Sequence, residues 1–407
     1  MIRILEQTEA AALRQRNPAM LREAERVVAP ILDDVRQRGD TALLEYARKF
    51  DGFTGDSVRI PVAGSLSVEM RAAAEIAARN IRQYAETQLP RETWVDYGDG
   101  RRLGQIVRPL DSMAAYVPAG RYPLPSTLLM TVIPAQVAGV RTICAACPHP
   151  SPPILGLAEW LGVTHLFRMG GAQAIAALAF GTETVPRVDR IVGPGNIYVA
   201  AAKKLLAGEV GIEFVAGPTE IVIVTAEGDP RALAADMLAQ AEHDVDASAI
   251  LLTTSRTLAA AVAVEIEKQL ATLSTAAVAR KAIEGGSAIV IFPSLEQAME
   301  FCNNLAPEHL ALHDAGLLPL VRHAGSVFLG PFSPEAAGDY ASGPNHVLPT
   351  SGAARIRGGL SAADFVKVIS VQELTPAGLA AIAPAVTTLA RAEGLEAHAR
   401  SVEVRHA

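Results

Sequence analysis

The chain has 407 residues, half of them apolar and 19% charged, a globular composition that excludes a disordered chain. At roughly 100–200 residues per domain, the length suggests two to four domains. The formal net charge is −7 and no Lys/Arg run reaches five residues, which excludes a nucleic-acid or anionic-membrane surface.

The opening Met-Ile-Arg-Ile-Leu-Glu-Gln lacks an apolar core, so no signal peptide is expected. Residues 19–51 read as helix interrupted at Pro30, with Asp40 as the cap of the second segment. Residues 66–86 repeat the helical pattern, and the stretch to Gly100 is polar and irregular. From about residue 102 the text alternates. Val- and Ile-rich runs at 113–117, 141–146, 165–169, 189–192, 220–225, 248–253, 287–292 and 326–329 predict strands. Ala/Leu-rich patterns at 126–137, 173–180, 197–206, 231–242 and 257–273 predict helices between them. Such alternation points to parallel sheets faced by helices, in two α/β units. Residues 352–360 read as a linker, and a helix over 376–396 with a short polar tail closes the chain. The longest apolar stretch, 128–147, is broken by Pro134, Gln136 and Arg141 and does not suit a bilayer span.

Three cysteines cannot build a disulfide framework, so a cytoplasmic location is expected. Cys144 and Cys147 form a C-x-x-C inside a strand-like stretch and read as core. Polar residues elsewhere interrupt apolar text. Tyr116-Val-Pro-Ala-Gly ends a strand and suits either a plain turn or a ligand loop. Gly170-Gly171-Ala172-Gln173 and Gly193-Pro194-Gly195-Asn196 both join strand to helix, where free N–H groups bind anions; neither matches G-x-G-x-x-G. Gln240 and His243 lie at i, i+3 on a helix end, as metal ligands or as an ordinary C-terminal histidine. Glu308 and His309 are adjacent; they are two bases if the chain bends there, or an exposed turn. Glu393 and His398 lie in the tail.

Taken in order, Gly-Pro-Gly-Asn-Ile-Tyr-Val (193–199), Ala-Gly-Pro-Thr-Glu-Ile (216–221), Gln-Ala-Glu-His-Asp (240–244), Pro-Glu-His-Leu (307–310), Gly-Asp-Tyr-Ala-Ser-Gly-Pro-Asn-His-Val-Leu-Pro-Thr (338–350) and Glu-Gly-Leu-Glu-Ala-His (393–398) closely resemble the histidinol dehydrogenase family. The resemblance runs over nearly the whole chain. It implies an α/β fold of two incomplete Rossmann-like parallel-sheet domains with small N-terminal and C-terminal helical extensions, in an intertwined homodimer. It implies an N-terminal arm (1–9), a first domain carrying metal and catalytic residues (10–115 with 219–360), an NAD-binding domain (116–218) and a C-terminal arm (361–407) that completes the partner subunit's site.

The resemblance further implies an NAD-dependent alcohol/aldehyde oxidoreductase that converts L-histidinol to L-histidine through L-histidinaldehyde, the last step of histidine biosynthesis. One Zn2+ per subunit would be held by Gln240, His243, Asp339 and His398, with His398 and Glu393 reaching across to the partner. Glu308 and His309 match the proton-transfer pair, and Tyr116, Gln173 and Asn196 match the NAD+ contacts. The substrate would touch Thr219, Gln240, His243, His309, Asp339, His346, Glu393 and His398. Three residues depart from the family pattern: Thr219 replaces Ser and adds a methyl, and Ala115 and Ala119 replace Gly beside Tyr116, where they could crowd the cofactor loop. The alternatives are a paralogous zinc- and NAD-dependent dehydrogenase for another small polar diol, such as sulfopropanediol, a zinc hydrolase, or a non-catalytic metal-binding protein. The text from 329 to 374 resembles the biosynthetic branch, and that resemblance favours histidinol. Neither a nucleic-acid nor a membrane partner is expected.

Overall fold

Strict alternation within each apolar run decides the architecture. In the Glu220–Val224 strand, Ile221 and Ile223 enter one core cluster, and Val222 and Val224 enter another. The Ser248–Thr253 strand does the same, with Ala249 and Leu251 on one side and Ile250 and Leu252 on the other. Successive side chains leave a strand on opposite faces, so apolar residues at every position require cover on both faces. Helices supply that cover.

The computed structural model describes residues 1–14, 19–118, 123–214 and 217–405. It contains two six-stranded sheets. The first runs Arg3–Glu6, Ala288–Ile291, Ser248–Thr253, Glu220–Val224, His309–Leu312 and Ser326–Leu329, all parallel. The second runs Arg59–Ile60, His165–Phe167, Thr142–Ala146, Ser112–Tyr116, Arg190–Val192 and Gly211–Ile212, with Arg59–Ile60 antiparallel at its edge. The fold is the expected α/β one with two Rossmann-like parallel sheets. In the second sheet Cys144 faces one core cluster and Cys147 the other. Both are free, and burial pushes their thiols up to about 12 and about 11, so they are inert core residues and not a redox pair.

Several expectations need correction. Residues 19–87 do not go with the first sheet. The Ala19–Arg38 helix lays Ala24, Val28, Leu32 and Val35 in one cluster with Ala-rich helices Gly171–Phe180 and Ile197–Leu206. The Val68–Thr87 helix packs on Ser126–Ala138. Both helices therefore cover the second sheet, which the Ser112–Tyr116 strand also joins, so the grouping of 10–115 with 219–360 is replaced by packing on complementary apolar stripes. The segment 1–9 is not a separate arm either, because Arg3–Glu6 is an edge strand of the first sheet. Pro30 does not break its helix; it is exposed, so the carbonyl it frees can turn to water. Asp40 follows the cap, which is Gly39 at φ 53°, and instead accepts hydroxyls of Thr182 (2.5 Å) and Thr184 (3.0 Å).

The stretch before Gly100 is not irregular throughout. Thr93–Asp96 and Arg101–Pro109 form a hairpin, and Val366–Leu374 adds antiparallel to it as a third sheet. The C-terminal segment is anchored there before it continues into the helices Pro376–Ala392 and Glu396–Glu403. The expected linker at 352–360 is tied down, with Arg357 bonded to the Glu213 carbonyl and, at 2.9 Å, to Asp364. No helix among the described residues is long and apolar enough to cross a membrane.

Candidate active site

The first sheet gathers polar residues at the amino ends of its strands. Thr219 immediately precedes the Glu220–Val224 strand, and Glu308 immediately precedes the neighbouring His309–Leu312 strand, where Ile221 pairs with His309. The segment 307–310 is therefore a buried strand entry, not an exposed turn: Glu308 and His309 are 6% and 3% exposed. Because Glu308 sits just ahead of the regular strand, strict alternation does not separate the two side chains, and Glu308 Oε2 lies 3.6 Å from His309 Nδ1.

Glu308 Oε2 accepts from Thr219 Oγ1 (2.5 Å) and from the Glu220 N–H (2.9 Å). His309 Nδ1 lies 3.3 Å from the Glu220 carbonyl, which places a hydrogen on Nδ1; buried Nε2 has no hydrogen-bond partner among the described residues. Gln240 is fully buried near the end of the Pro230–Ala241 helix, and His243 follows in the turn. Asp339 and Glu335 are four apart on the Glu335–Tyr340 helix and so share a face. Asp339 Oδ2 is 3.8 Å from His243 Nε2 and its Oδ1 is 3.7 Å from His309 Nε2. Half-buried His346 places Nδ1 2.8 Å from the Asp339 carbonyl.

Glu335 was missed in the sequence. It is 2% exposed, with Oε1 3.9 Å from His309 Nδ1. Its i, i+4 spacing from Asp339 was the available signal. His243, Glu335 and Asp339 bring one ligand atom each within 4.8 Å of one another. With the Gln240 amide nitrogen donating to Thr219 Oγ1 (2.5 Å), its oxygen lies against the Glu335 carboxylate, so two acceptors meet without a hydrogen between them. A cation resolves that conflict; otherwise the amide must turn to donate to Glu335.

The electrostatics also ask for positive charge. Burial pushes Glu308 up, and it holds Glu335 up at about 8. Burial pulls His309 down, but Glu335, Glu308 and Asp339 outweigh it and hold the imidazole up at about 10. Burial alone raises Asp236, one helical turn before Gln240, to about 6. Carboxylates outnumber the one imidazolium they surround. The negative end of the Pro230–Ala241 helix points to the same place. Imidazole, carboxylate and amide oxygen together suit a borderline divalent ion such as zinc.

His398 and Glu393 do not join this cluster within the chain. Both are exposed on the C-terminal helical segment.

The second sheet gathers residues at the opposite, carboxyl ends of its strands. From the Ser112–Tyr116 strand the chain winds outward through Thr142–Ala146 to His165–Phe167, then returns to Arg190–Val192 on the other side. The order reverses between Ser112–Tyr116 and Arg190–Val192, where open α/β sheets bind ligands. Tyr116 ends one of those strands and the Gly193–Asn196 turn follows the other. Tyr116 Oη accepts from the Gly171 N–H (3.1 Å), and burial pushes its hydroxyl up to about 12. Gln173 is buried and donates to Asp51 Oδ2 (3.1 Å), which also accepts from the Gly170 N–H (3.0 Å). Exposed Asn196 caps the Ile197–Leu206 helix through Tyr198 N (3.0 Å) and Val199 N (3.1 Å). The Ala115 methyl is buried in the core on the face away from Tyr116, so it does not crowd this loop. Ala119 lies outside the described residues.

A family model described as histidinol dehydrogenase matches residues 14–406. The chain is 46% identical to a histidinol dehydrogenase of Geobacter metallireducens, over 98% of this chain and 95% of that protein. It is 48% identical to one of Geobacillus kaustophilus, over 94% of each. The crystal structure of histidinol dehydrogenase from Elizabethkingia anophelis superposes with a TM-score of 0.94 at 36% identity, covering 99% of this chain and 98% of that one.

Proposed function

The chain belongs to the histidinol dehydrogenase family, and from that premise we propose that it oxidises L-histidinol to L-histidine through L-histidinaldehyde, in two NAD+-linked steps with one zinc ion per chain, closing histidine biosynthesis. The observation that carries the reading is the pair Glu308 and His309, buried side by side against the His243, Glu335 and Asp339 cluster, with the Gln240 amide beside Glu335. Two bases suit two different proton transfers.

Gln240, His243 and Asp339 would hold the zinc, with the partner subunit's His398 as the fourth ligand. Bound zinc supplies a Lewis-acidic anchor and positive charge that offsets the carboxylate excess, and bound NAD+ supplies the hydride acceptor. The rest of the work falls to side chains. With the field of the surrounding carboxylates offset in this way His309 would be neutral, and its Nε2, 3.7 Å from Asp339 Oδ1, accepts the alcohol proton as the C–H bond is oxidised. The Glu220 carbonyl holds Nδ1–H and so fixes the tautomer. Glu308 then takes a proton from the water that adds to the aldehyde, while Thr219 and the Glu220 N–H fix the carboxylate. His346 and the partner subunit's Glu393 would complete the substrate pocket.

Sharing between subunits is supported by the exposure of Glu393 and His398, and of Leu389, Leu395 and Val404 on the same segment. Tyr116, Gln173 and Asn196 would line the NAD+ crevice. Three buried, free cysteines suit a reducing cytoplasm. The direct test is to count NADH formed per histidinol consumed. Two supports the full reaction, whereas one means that oxidation stops at the aldehyde.

A further inference from the structure

Lys203 and Glu213 form an ion pair with side chains only 4% and 1% exposed, joining the Ile197–Leu206 helix to the residue after the Gly211–Ile212 strand of the second sheet. Lys203 Nζ lies 2.6 Å from Glu213 Oε1 and donates to the Gly193 carbonyl at 2.5 Å. The same Glu213 oxygen accepts from the Gly193 N–H at 3.0 Å. Both backbone polar groups of one residue are thus held by one buried pair. The third side is closed as well: Gly193 has φ +111°, and a Cβ there would collide with the Tyr116 carbonyl. Gly193 opens the turn that ends in Asn196.

A buried ion pair is a poor stabilising device. The cost of removing both charges from water rivals their attraction, and well-packed apolar replacements are often as stable or more so. What the pair does achieve is directional: it fixes the Gly193 peptide groups, which apolar side chains could not do. We propose that Lys203 and Glu213 are positioning residues that set the Gly193–Asn196 turn against Tyr116 so that the crevice admits NAD+. The proposal rests on the reading that NAD+ binds between Tyr116 and Asn196.

The test is NAD+ titration calorimetry on zinc-loaded protein saturated with L-histidine, for Lys203→Met, Glu213→Gln, the double variant Lys203→Met with Glu213→Leu, and Asn196→Ala. Each single variant strands a buried polar partner and melts lower. The double variant leaves no charge unpaired and melts above either single variant, although the Gly193 N–H and carbonyl lose their partners. It nevertheless weakens NAD+ binding at least about tenfold, the scale of losing charge-assisted hydrogen bonds, while zinc content and L-histidine affinity stay unchanged. Faster amide exchange over residues 193–196 accompanies the loss. A double variant that folds and binds NAD+ within about twofold of the parent overturns the positioning role, provided that Asn196→Ala weakens binding. If Asn196→Ala also leaves NAD+ affinity unchanged, the crevice assignment falls and takes the proposal with it.

Discussion

Thr219 donates its hydroxyl to Glu308 across 2.5 Å, joining the residue ahead of one strand to the residue ahead of its neighbour. The hydroxyl alone makes this bond; the methyl that Thr adds over Ser does not enter it. Thr219→Ser is therefore expected to retain activity within about threefold. Thr219→Val removes a hydrogen bond to a charged group, worth about 1.5–3 kcal/mol, and is expected to lower kcat by roughly 10- to 100-fold. Steady-state kinetics on the two variants separates the effects. Equal losses in both would contradict the assignment.

Glu308→Gln keeps the shape and loses the base. Aldehyde oxidation is expected to fall by roughly 10²–10⁴, the usual contribution of a positioned base, and alcohol oxidation by much less. L-Histidinol and L-histidinaldehyde supplied separately give the two rates. A matched loss would show that Glu308 does not serve one half-reaction.

Exhaustive chelation is expected to abolish turnover, and zinc to restore it. His243→Ala and Asp339→Asn are expected to lower bound zinc well below one per chain, measured by elemental analysis. Chelation also lowers the melting temperature, since an ion bound only to the folded state adds stability. Full activity in metal-free protein would remove zinc from the mechanism.

His398→Ala and His243→Ala proteins, each inactive, are expected to recover activity when unfolded and refolded together. Half of the dimers are then mixed, and each mixed dimer holds one intact site of two, so recovery approaches roughly a quarter of the parent. No recovery would place His398 outside a shared site.

Asp236 gives a pH test in metal-free protein. Burial raises its carboxyl from 3.8 to about 6, so the folded state favours the protonated form. That contribution is present below the ordinary carboxylate value, is lost as pH rises through about 6, and leaves a constant penalty above it. Asp236→Asn is expected to stabilise the metal-free chain at about pH 7.5 by on the order of 1–2 kcal/mol, a value reduced for partial solvent access. The gain should shrink towards pH 5, as read from urea melts. A gain independent of pH would mean that the carboxyl is not desolvated.

What the sequence determined by itself was local. Consecutive apolar side chains at 221–224 and 249–252 marked Glu220–Val224 and Ser248–Thr253 as doubly covered strands, because side-chain direction alternates residue by residue. Asn196 was legible at a strand–helix junction, and Gln240 with His243 at a helix end, for the same local reason. The His309–Leu312 strand was not legible, since Pro307-Glu308-His309 reads as a polar turn until Ile221 pairs with His309.

Only the tertiary structure decided which residues meet. Strand order places Thr219 and Glu308 at the amino edge of one sheet, and Tyr116 and the Gly193 turn at the carboxyl edge of the other. Glu335 joins the site through packing of a six-residue helix, too short for its i, i+4 spacing from Asp339 to be read alone as a shared face. Thr93–Asp96 and Arg101–Pro109 carry no apolar run long enough to read, and gain their third strand from residues more than two hundred positions later. Pairing at that range is set by the burial and backbone bonds that the whole chain satisfies together, and a window of neighbouring residues does not contain it.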